Sequence, residues 1–233
     1  MITFEGLRLK ILKYNRKFFG NKHQKAIKNK KFTIISNNCW GGEVYEYYNL
    51  PKQSPTVGMF FMADDYIRFL SHLKEYLNAK ITFINPNDSK WKENPIVNGD
   101  KRWGTYPIGK LEIQINKDEA TEQKTVNESV EVFFLHYHNE QEAKEKWIRR
   151  INRINWGHLL VKFNDQNGCT EKHLREFDAL SFEHKIFFSV TSHPDSKNVV
   201  CIKAPGSHKF IRASYEPFGS SKYCNIDNLI NEL

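Results

Sequence analysis

The sequence predicts an α/β fold in which a largely parallel or mixed central sheet is flanked by helices in three layers. Two observations support this class. After residue 31, short runs rich in β-branched and aromatic residues alternate with stretches of helical period, which is typical of βα units around a parallel sheet. The 233 residues also include 17 Phe, 10 Tyr and 5 Trp, enough large apolar side chains to build a core. We therefore expect a folded domain rather than a disordered chain.

The charge distribution divides the chain into two regions. The net charge is +8, but residues 1–31 contain ten Lys or Arg and one Glu, so the rest of the chain is close to neutral. No linker rich in Gly, Ser or Pro divides that rest. We predict a basic helical arm at residues 1–30 and a single α/β domain at residues 31–233. Because the basic residues are confined to the arm, no nucleic-acid partner is expected.

The arm has the period of an amphipathic helix. Its apolar residues recur at gaps of three and four, namely Phe4, Leu7, Ile11, Tyr14 and Phe18. Basic residues fill most positions between them, namely Lys10, Lys13, Arg16 and Lys17. Two interpretations stay open: the apolar face packs on the domain, or it makes peripheral contact with an anionic membrane surface.

The domain is predicted to alternate strands and helices. Strands are predicted at residues 32–36, 56–61, 80–84, 130–137, 158–163, 184–190 and 198–203. Helices are predicted at residues 41–49, 64–78, 140–155, 170–180 and 225–232. The segment 86–109 follows neither period and is rich in Asn, Gly, Pro and Trp, so we expect an irregular insertion before a strand-like run at 110–115.

The cysteines indicate a reduced, cytoplasmic protein. They form no C-x-x-C pair and follow no secretory signal, and their positions are Cys39, Cys169, Cys201 and Cys224. No apolar run approaches the roughly 20 residues of a membrane-spanning helix. We expect a cytoplasmic protein, with membrane association through the arm as an addition, and neither a metal ion nor a cofactor.

Polar side chains follow most of the predicted strands. Ligands of open parallel sheets bind beyond the carboxyl ends of the strands, so these segments are candidates for a site. They comprise residues 37–42, 85–88, His138, 164–165 and 191–193. The alternative is that Asn, Asp, Ser and Gly end strands because they suit turns.

The first of these segments carries a family resemblance. The block Asn37-Asn38-Cys39-Trp40-Gly41-Gly42 resembles a bacterial exopolysaccharide-biosynthesis family, domain of unknown function 1919. Further similar positions extend the resemblance over roughly residues 30–190, and they include Tyr45, Leu50, 54–58, 65–67, 69–70, 106–109, 136–138, 142–143, 146–147, Arg150 and 153–155. The resemblance implies a role in capsule or exopolysaccharide production and no particular reaction.

Cys39 is the candidate nucleophile. It lies between a predicted strand and a predicted helix N-terminus, where the helix dipole and unpaired N–H groups favour a thiolate. A cysteine that packs as a small hydrophobic side chain is the alternative. His136 and His138 occupy alternate positions of a predicted strand, so they share one face and are candidate catalytic bases near Cys39. A metal site there would need a third ligand, which the sequence does not supply.

Ligand binding is predicted for a wider set of residues, namely Asn37, Asn38, Trp40, Gly41, Gly42, Trp147, Arg150 and Asp165. The glycine pair lets the backbone approach a ligand closely, or it forms a tight turn. Arg150 falls within the apolar stripe of its predicted helix. A guanidinium there needs an anion, which is either a substrate or an internal carboxylate.

Two functions are consistent with these observations. The first is a transferase that modifies a polysaccharide precursor, with an activated sugar or an acyl group as the donor. The second is a non-catalytic glycan-binding or assembly factor, in which exposed Trp and Tyr residues of segment 86–109 stack on sugars. Nucleotide-binding and hydrolase motifs are absent, as is a D-x-D metal motif. The spacing of His173 and Asp178, known from glycerolipid acyltransferases, is treated as chance because it places them on different helix faces.

Overall fold

The computed structural model describes residues 4–119, 122–203 and 208–233. Within this part, the strands are β1 (Thr33–Ser36), β2 (Thr82–Ile84), β3 (Ile108–Glu119), β4 (Glu122–Phe133), β5 (Leu159–Asn164), β6 (His184–Ser189) and β7 (Val199–Cys201). The helices are α1 (Phe4–Phe18), α2 (Gly20–His23), α3 (Trp40–Tyr47), α4 (Ala63–Ser71), α5 (Leu73–Asn78), α6 (Pro95–Asn98), α7 (Glu140–Ile151), α8 (Glu171–Ala179) and α9 (Ile226–Asn231).

The chain forms two compact units. Unit 1 consists of Met1–Val57, Arg149–Gln166 and Phe182–Leu233, and unit 2 consists of Gly58–Ile148 and Asn167–Ser181. Unit 1 contains a parallel sheet and unit 2 an antiparallel sheet. The predicted α/β class with helices beside a mixed set of strands is therefore confirmed. The predicted division into an arm and one domain at 31–233 stays a prediction.

Unit 1 is built on a four-stranded sheet with the order β1-β5-β6-β7. Each neighbouring pair is parallel, so the carboxyl ends of the strands share one edge of the sheet. β1 is buried throughout, as is β5 after its first residue. Strands that are covered on both faces have nearly continuous apolar sequences, which is why the four strands of unit 1 were predicted to within two residues.

Helix α3 packs its apolar residues onto this sheet. Val44 and Tyr45 are fully buried, and the Tyr45 hydroxyl donates to the Phe32 carbonyl oxygen at 3.0 Å while accepting the Ile34 N–H at 3.1 Å. Burial raises the pKa of Tyr45 well above its usual value. The hydroxyl therefore stays protonated and ties α3 to β1.

Residues 20–31 belong to the core of unit 1, although the sequence assigned them to a separate arm. The His23 ring stacks on Tyr47 with 3.9 Å between ring centroids, and Ile27 is 3% exposed. The Asn231 side chain accepts the Lys28 N–H at 2.6 Å and donates to the Ala26 carbonyl oxygen at 3.2 Å. Residues 20–31 are therefore packed within unit 1.

Unit 2 contains a three-stranded antiparallel sheet with the order β2-β3-β4. The hairpin β3–β4 pairs twelve residues on each strand, where the sequence predicted separate strands at 110–115 and 130–137. The expectation that 130–137 forms part of a parallel sheet is wrong. Polar and charged residues occupy most of 116–129, so the apolar alternation that marks a strand is weak there, and pairing along the hairpin compensates for it.

The predicted strand at 56–61 is also wrong. Residues 55–58 form turns, and Gly58 has a φ of +78°, a conformation incompatible with a strand. The Thr56 hydroxyl takes the place of a backbone partner for β1, because it accepts the Ser36 N–H at 3.0 Å. Of this segment only Phe60 makes a bridge, to Phe133 of β4.

The helices were predicted more accurately than the strands of unit 2. The predicted helix 64–78 is present but is divided at His72, whose φ of −132° interrupts it between α4 and α5. Helix α7 ends at residue 151 rather than 155. Among the described residues, no helix is both long and apolar enough to cross a membrane.

Candidate functional site

The loop that follows β1 is shaped by Asn38. Its side-chain oxygen accepts the Trp40 N–H at 3.1 Å and the Ser36 hydroxyl at 3.2 Å. These bonds turn the chain from the strand into α3 and place Cys39 at the N-cap position of that helix. The loop lies at the carboxyl edge of the parallel sheet, where the topology of unit 1 predicts a site.

A buried ion pair lies next to this loop. The Lys162 ammonium, from the middle of β5, contacts a carboxylate oxygen of Glu216 at 2.5 Å, and both side chains are fully enclosed. The ammonium also donates to the side-chain oxygen of Asn38 at 3.0 Å and of Asn37 at 3.4 Å. A charge in a buried strand is costly unless it is paired and hydrogen-bonded, and Lys162 is both.

Asparagine side chains complete the cluster around the carboxylate. Asn164 donates to Glu216 at 2.7 Å and to the Ile211 carbonyl oxygen at 2.9 Å, and its own oxygen accepts the Asn37 amide at 2.8 Å. The Asn38 amide lies 3.4 Å from both Glu216 oxygens. The ends of β1 and β5 are thus joined through one carboxylate, and we call Asn37, Asn38, Lys162, Asn164 and Glu216 the strand-end cluster.

Aromatic rings enclose the ammonium of this cluster. The Lys162 nitrogen lies 5.8 Å from the centroid of a Trp40 ring and 5.6 Å from that of Phe188, within the range of cation–π attraction. Burial lowers the pKa of Lys162 and raises the pKa of Glu216, while the mutual attraction of the two groups opposes both changes.

Cys39 is half-buried, so its thiol is neither enclosed in the core nor fully in solvent. A charge on Cys39 is among the interactions that favour the protonated form of Lys162. Lys162, which the sequence did not single out, therefore interacts electrostatically with Cys39.

The other residues of the predicted loop have structural partners. Trp40 is fully buried, and its indole N–H donates to the Pro217 carbonyl oxygen at 3.0 Å. A Cβ on Gly41 would lie 3.2 Å from Ile34, and one on Gly42 would lie 2.8 Å from Val57. The glycines are therefore required for the close packing of α3. Their predicted role in ligand binding, and that of Trp40, stay predictions.

Asp165 lies at the same edge, immediately after β5. Its two oxygens accept the Val190 N–H and the Ile211 N–H, each at 2.7 Å. Asp165 therefore joins the end of β6 to the segment that leads toward Glu216. This contact fixes the geometry of the edge, while the predicted binding of a ligand by Asp165 stays untested.

Arg150 is buried, with 8% of its surface exposed, as its position in the apolar stripe predicted. Its guanidinium donates to the Val57 carbonyl oxygen at 3.2 Å. The positive charge also acts on Tyr45, whose pKa it lowers against the larger effect of burial. Binding of a substrate anion by Arg150 stays a prediction.

His136 and His138 do not lie on a strand face, because β4 ends at Phe133. Both side chains are exposed in the turn that precedes α7. The backbone N–H of His136 donates to the Gly58 carbonyl oxygen at 3.0 Å, and that of His138 donates to Glu142 at 2.8 Å. Both belong to unit 2, and their predicted role as bases for Cys39 stays a prediction.

His138 lines an open cavity of about 860 Å³ within unit 2. The cavity is bordered by segment 83–86, segment 104–108 and the start of α7. Its polar lining includes Asn85, Thr105 and Gln141, and Tyr106 is among its aromatic residues. Hydroxyl and amide groups beside an aromatic ring are suited to a neutral polar ligand.

The aromatic residues of segment 86–109 are buried or half-buried rather than fully exposed, and their predicted stacking on sugars stays a prediction. Tyr106 is 5% exposed, and Trp91 and Trp103 pack against the same small core around Phe133. Trp147 is likewise buried among Phe69 and other rings, and its indole N–H has no hydrogen-bond partner within the described residues. These aromatic side chains contribute to the core of unit 2.

Sequence reasoning missed Lys162, Asn164 as a cluster member, and Glu216. One signal was present for Lys162, since a lysine between Val161 and Phe163 in a buried strand requires an anionic partner. His173, whose spacing to Asp178 was set aside, contacts Asp64 at 3.0 Å instead. In the parts of the chain that are described, no three His, Cys, Asp or Glu side chains converge in a way that could hold a metal ion.

Comparison with known proteins extends the match beyond the region 30–190. The family model for a domain of unknown function, DUF1919, matches residues 10–230, so it includes α1 in part and the segment that carries Glu216. An uncharacterized protein of Haemophilus influenzae is 30% identical over 203 residues, and the match covers 87% of this chain and 83% of that protein's length. The matched region includes the whole strand-end cluster. This chain belongs to the DUF1919 family.

Proposed function

We propose that this protein is a transferase that modifies a precursor of a surface polysaccharide, with the loop 37–42 as its reaction centre. The polysaccharide part of the proposal rests on the resemblance of the loop block to an exopolysaccharide-biosynthesis family. The transferase part rests on the position of the loop, at the carboxyl edge of a parallel sheet.

One observation carries the choice of reaction. A half-buried thiol, Cys39, lies at the N-cap position of α3 and interacts electrostatically with the Lys162 ammonium. A thiolate is the nucleophilic form of cysteine, and a neighbouring cation together with a helix N-terminus favours it. Of the two donors expected, an activated sugar or an acyl group, a thiol nucleophile favours an acyl thioester.

The proposed reaction has two steps. In the first, Cys39 Sγ attacks the acyl carbon of the donor; the new S–C bond replaces the S–C bond of the donor, and the donor sulfur leaves with the proton of the Cys39 thiol. In the second, a hydroxyl oxygen of the polysaccharide precursor attacks the same carbon. The bond to Cys39 breaks, and the proton of the hydroxyl returns to the sulfur.

The strand-end cluster supports this role by fixing the loop. The Asn38 side chain accepts the backbone N–H of Trp40, the residue after Cys39, and Lys162 donates to the same Asn38 oxygen. A nucleophile gains most when it is held in a reactive geometry by groups that are themselves rigid. Each polar side-chain atom of the cluster takes part in a hydrogen bond. The cluster therefore provides this rigidity at the point where the loop leaves the sheet.

The proposal is tested by acyl transfer to the protein. The full chain is incubated with acetyl-coenzyme A, and the protein mass is measured before and after treatment with hydroxylamine, which cleaves thioesters. We expect one hydroxylamine-sensitive acetyl group on the wild type and none on Cys39→Ser. The matched control is Cys201→Ser, because Cys201 is an exposed thiol of the same unit and its loss should leave labelling intact.

Labelling that persists in Cys39→Ser, or no labelling of the wild type by acetyl- or longer acyl-coenzyme A, would rule out the acyl-enzyme. A folded Cys39→Ser variant is a fair test, because a serine of similar size at a half-buried N-cap position should change the free energy of unfolding by about 1 kcal/mol or less.

The second candidate is a non-catalytic glycan-binding or assembly factor. The cavity of unit 2 favours it, because amide and hydroxyl groups lie there beside aromatic and proline residues. Binding of neutral oligosaccharides that is weakened by Gln141→Ala and Lys144→Ala, in a protein that shows no acyl transfer, would support this function instead. Binding that persists unchanged in both variants would exclude the cavity as the glycan site.

A further inference from the structure

Helix α1 exposes a continuous apolar stripe. Leu7 is 49% exposed, Ile11 52%, Tyr14 69% and Phe18 68%. At ~100° per residue these four positions fall within about 60° of one another around the helix. Phe19, directly after the stripe, is also exposed, at 42%, whereas the other large exposed apolar side chains of the described chain are separate residues, namely Ile96, Ile148, Trp156 and Phe210. A contiguous apolar surface of this kind marks an interaction site.

The stripe is not the face by which α1 is held to unit 1. The helix contacts α3, and the Arg8 guanidinium lies 5.8 Å from the centroid of the Tyr215 ring. Leu12 is half-buried, and the helical period places it on the side of α1 away from the stripe. The expectation that the apolar face packs on the body is therefore wrong for these four residues. The side chains of Phe4, Arg16 and Lys17 lie outside the described part.

Positive charge flanks the stripe. Helix α1 contains five Lys or Arg and a single acidic residue, Glu5. Lys10 and Lys13 are exposed, and both lie on the same flank of the stripe by the helical period. An apolar stripe with basic flanks has the arrangement of a helix that lies in the plane of a membrane interface, with its apolar side chains among the acyl chains.

We propose that α1 binds this protein to the surface of an anionic lipid bilayer. Charge complementarity selects this partner, since lysines attract acidic headgroups while the stripe enters the acyl region. A second copy of the chain is disfavoured, because it would bring two strongly basic segments together. A nucleic acid would use the charges and leave the stripe in water. The proposal concerns where the protein acts, and it does not depend on the chemistry of Cys39.

The test is flotation of the full chain with lipid vesicles. One set contains equal parts of phosphatidylglycerol and phosphatidylcholine, and the other contains phosphatidylcholine alone. We expect the wild type to float with the anionic vesicles and not with the neutral ones, and added salt to weaken the binding. Replacing Leu7, Ile11 and Phe18 by Ser should reduce the apparent affinity by at least about tenfold, because each change removes apolar area from the bilayer contact.

A matched control separates the stripe from general exposure of apolar side chains. Ile96→Ser removes an apolar residue of similar exposure, 45%, from unit 2, and it should float as the wild type does. Replacing Lys10 and Lys13 by Gln should weaken binding to anionic vesicles and leave the melting temperature unchanged, since both are exposed.

Three results would overturn the proposal. They are failure of the wild type to float with anionic vesicles, equal flotation of the triple serine variant, and sedimentation of the wild type as a dimer that the triple variant abolishes without any lipid binding. The last result would assign the stripe to self-association.

Discussion

Glu216 in unit 1 and Asp65 in unit 2 are both buried carboxylates in contact with a lysine, but the lysines differ in exposure. Lys162, the partner of Glu216, is fully enclosed, whereas the side chain of Lys90, the partner of Asp65, is 36% exposed. Asp65 also accepts the indole N–H of Trp91 at 2.7 Å and the backbone N–H of Glu131 at 3.1 Å. Unit 2 therefore adds neutral donors to the lysine that stabilises its carboxylate, and it leaves that cation near water.

The comparison suggests different purposes for the two clusters. The Asp65 cluster consists of Asp65, Ser89, Lys90, Trp91 and Glu131. It fastens segment 86–109 to α4 and β4, because the Ser89 hydroxyl and the Lys90 backbone N–H also donate to the Glu131 carboxylate. The strand-end cluster buries two opposite charges, although apolar residues of similar volume commonly stabilise a core as well or better. A buried pair at the carboxyl edge is thus better explained by the loop it positions than by the stability it provides. Two predictions test this difference, and a third concerns the contact between Asp64 and His173 in unit 2.

The largest effect is expected for Glu216→Ala. The change leaves the Lys162 ammonium enclosed without its counter-charge, so the free energy of unfolding should fall by about 3–5 kcal/mol in urea denaturation. The double variant Lys162→Met with Glu216→Leu removes both charges, and it should recover most of this loss. It should not recover acyl transfer to Cys39, because the loop has lost its support. If the double variant is no more stable than Glu216→Ala, the cost arises from packing and not from an unpaired charge.

A smaller effect is expected for Asp65→Asn. Lys90 can rotate its ammonium into water, so the remaining cost is the weakened bonds to Trp91 and to the Glu131 N–H, about 1–3 kcal/mol. Hydrogen exchange at residues 89–91 should accelerate, since these residues are fastened through the cluster. Glu46→Gln is the control, because its contact with Lys52 is exposed and should contribute little. A loss as large as that of Glu216→Ala would remove the distinction between the two clusters.

The smallest effect concerns pH. Burial acts to raise the pKa of Asp64, but the hydrogen bond from His173 and nearby positive charges outweigh it and lower this pKa. A lowered pKa contributes stability above the unfolded value of about 4, and this contribution disappears as the pH falls through the folded value. Because the Asp64 side chain is 47% exposed, we expect only a few tenths of a kcal/mol after screening.

Asp64→Asn should therefore reduce the dependence of the free energy of unfolding on pH below about 5 and leave it unchanged at higher pH apart from a constant offset. The measurement is urea denaturation across the acid range. An unchanged acid profile would show that the His173 contact does not act on the ionisation of Asp64.

The sequence predicted unit 1 better than unit 2 for a physical reason. Strands buried on both faces, such as β5 and β6, have apolar runs that stand out, and polar residues after them indicate the edge of a site. The hairpin β3–β4 lacks such runs over residues 116–129, and its strands form by pairing with each other rather than by an apolar pattern. The sequence placed the loop with Asn37 and Asn38 correctly after the end of β1. It did not identify the residues that contact this loop.

Pairing across the sequence explains the remaining errors. Glu216 lies in an irregular segment without periodicity, and only the fold brings it to Lys162. His136 and His138 were assigned to a strand that ends earlier, because the apolar run 132–135 continues past the last ladder residue. Arg150 was predicted to be buried since helical period alone places it, and no long-range contact was needed.

The composition of unit 1 from separated segments has a consequence for biosynthesis. All residues of unit 2 lie at or before Ser181, so its hairpin and helices can form while later residues are still within the ribosome. Lys162 leaves the ribosome before Glu216, and during that interval the nascent strand carries a charge that has no carboxylate partner. The buried position of Lys162 in the parallel sheet of unit 1 can therefore be completed only after residue 216 has been translated. The completion of unit 1 is thus a late event in synthesis.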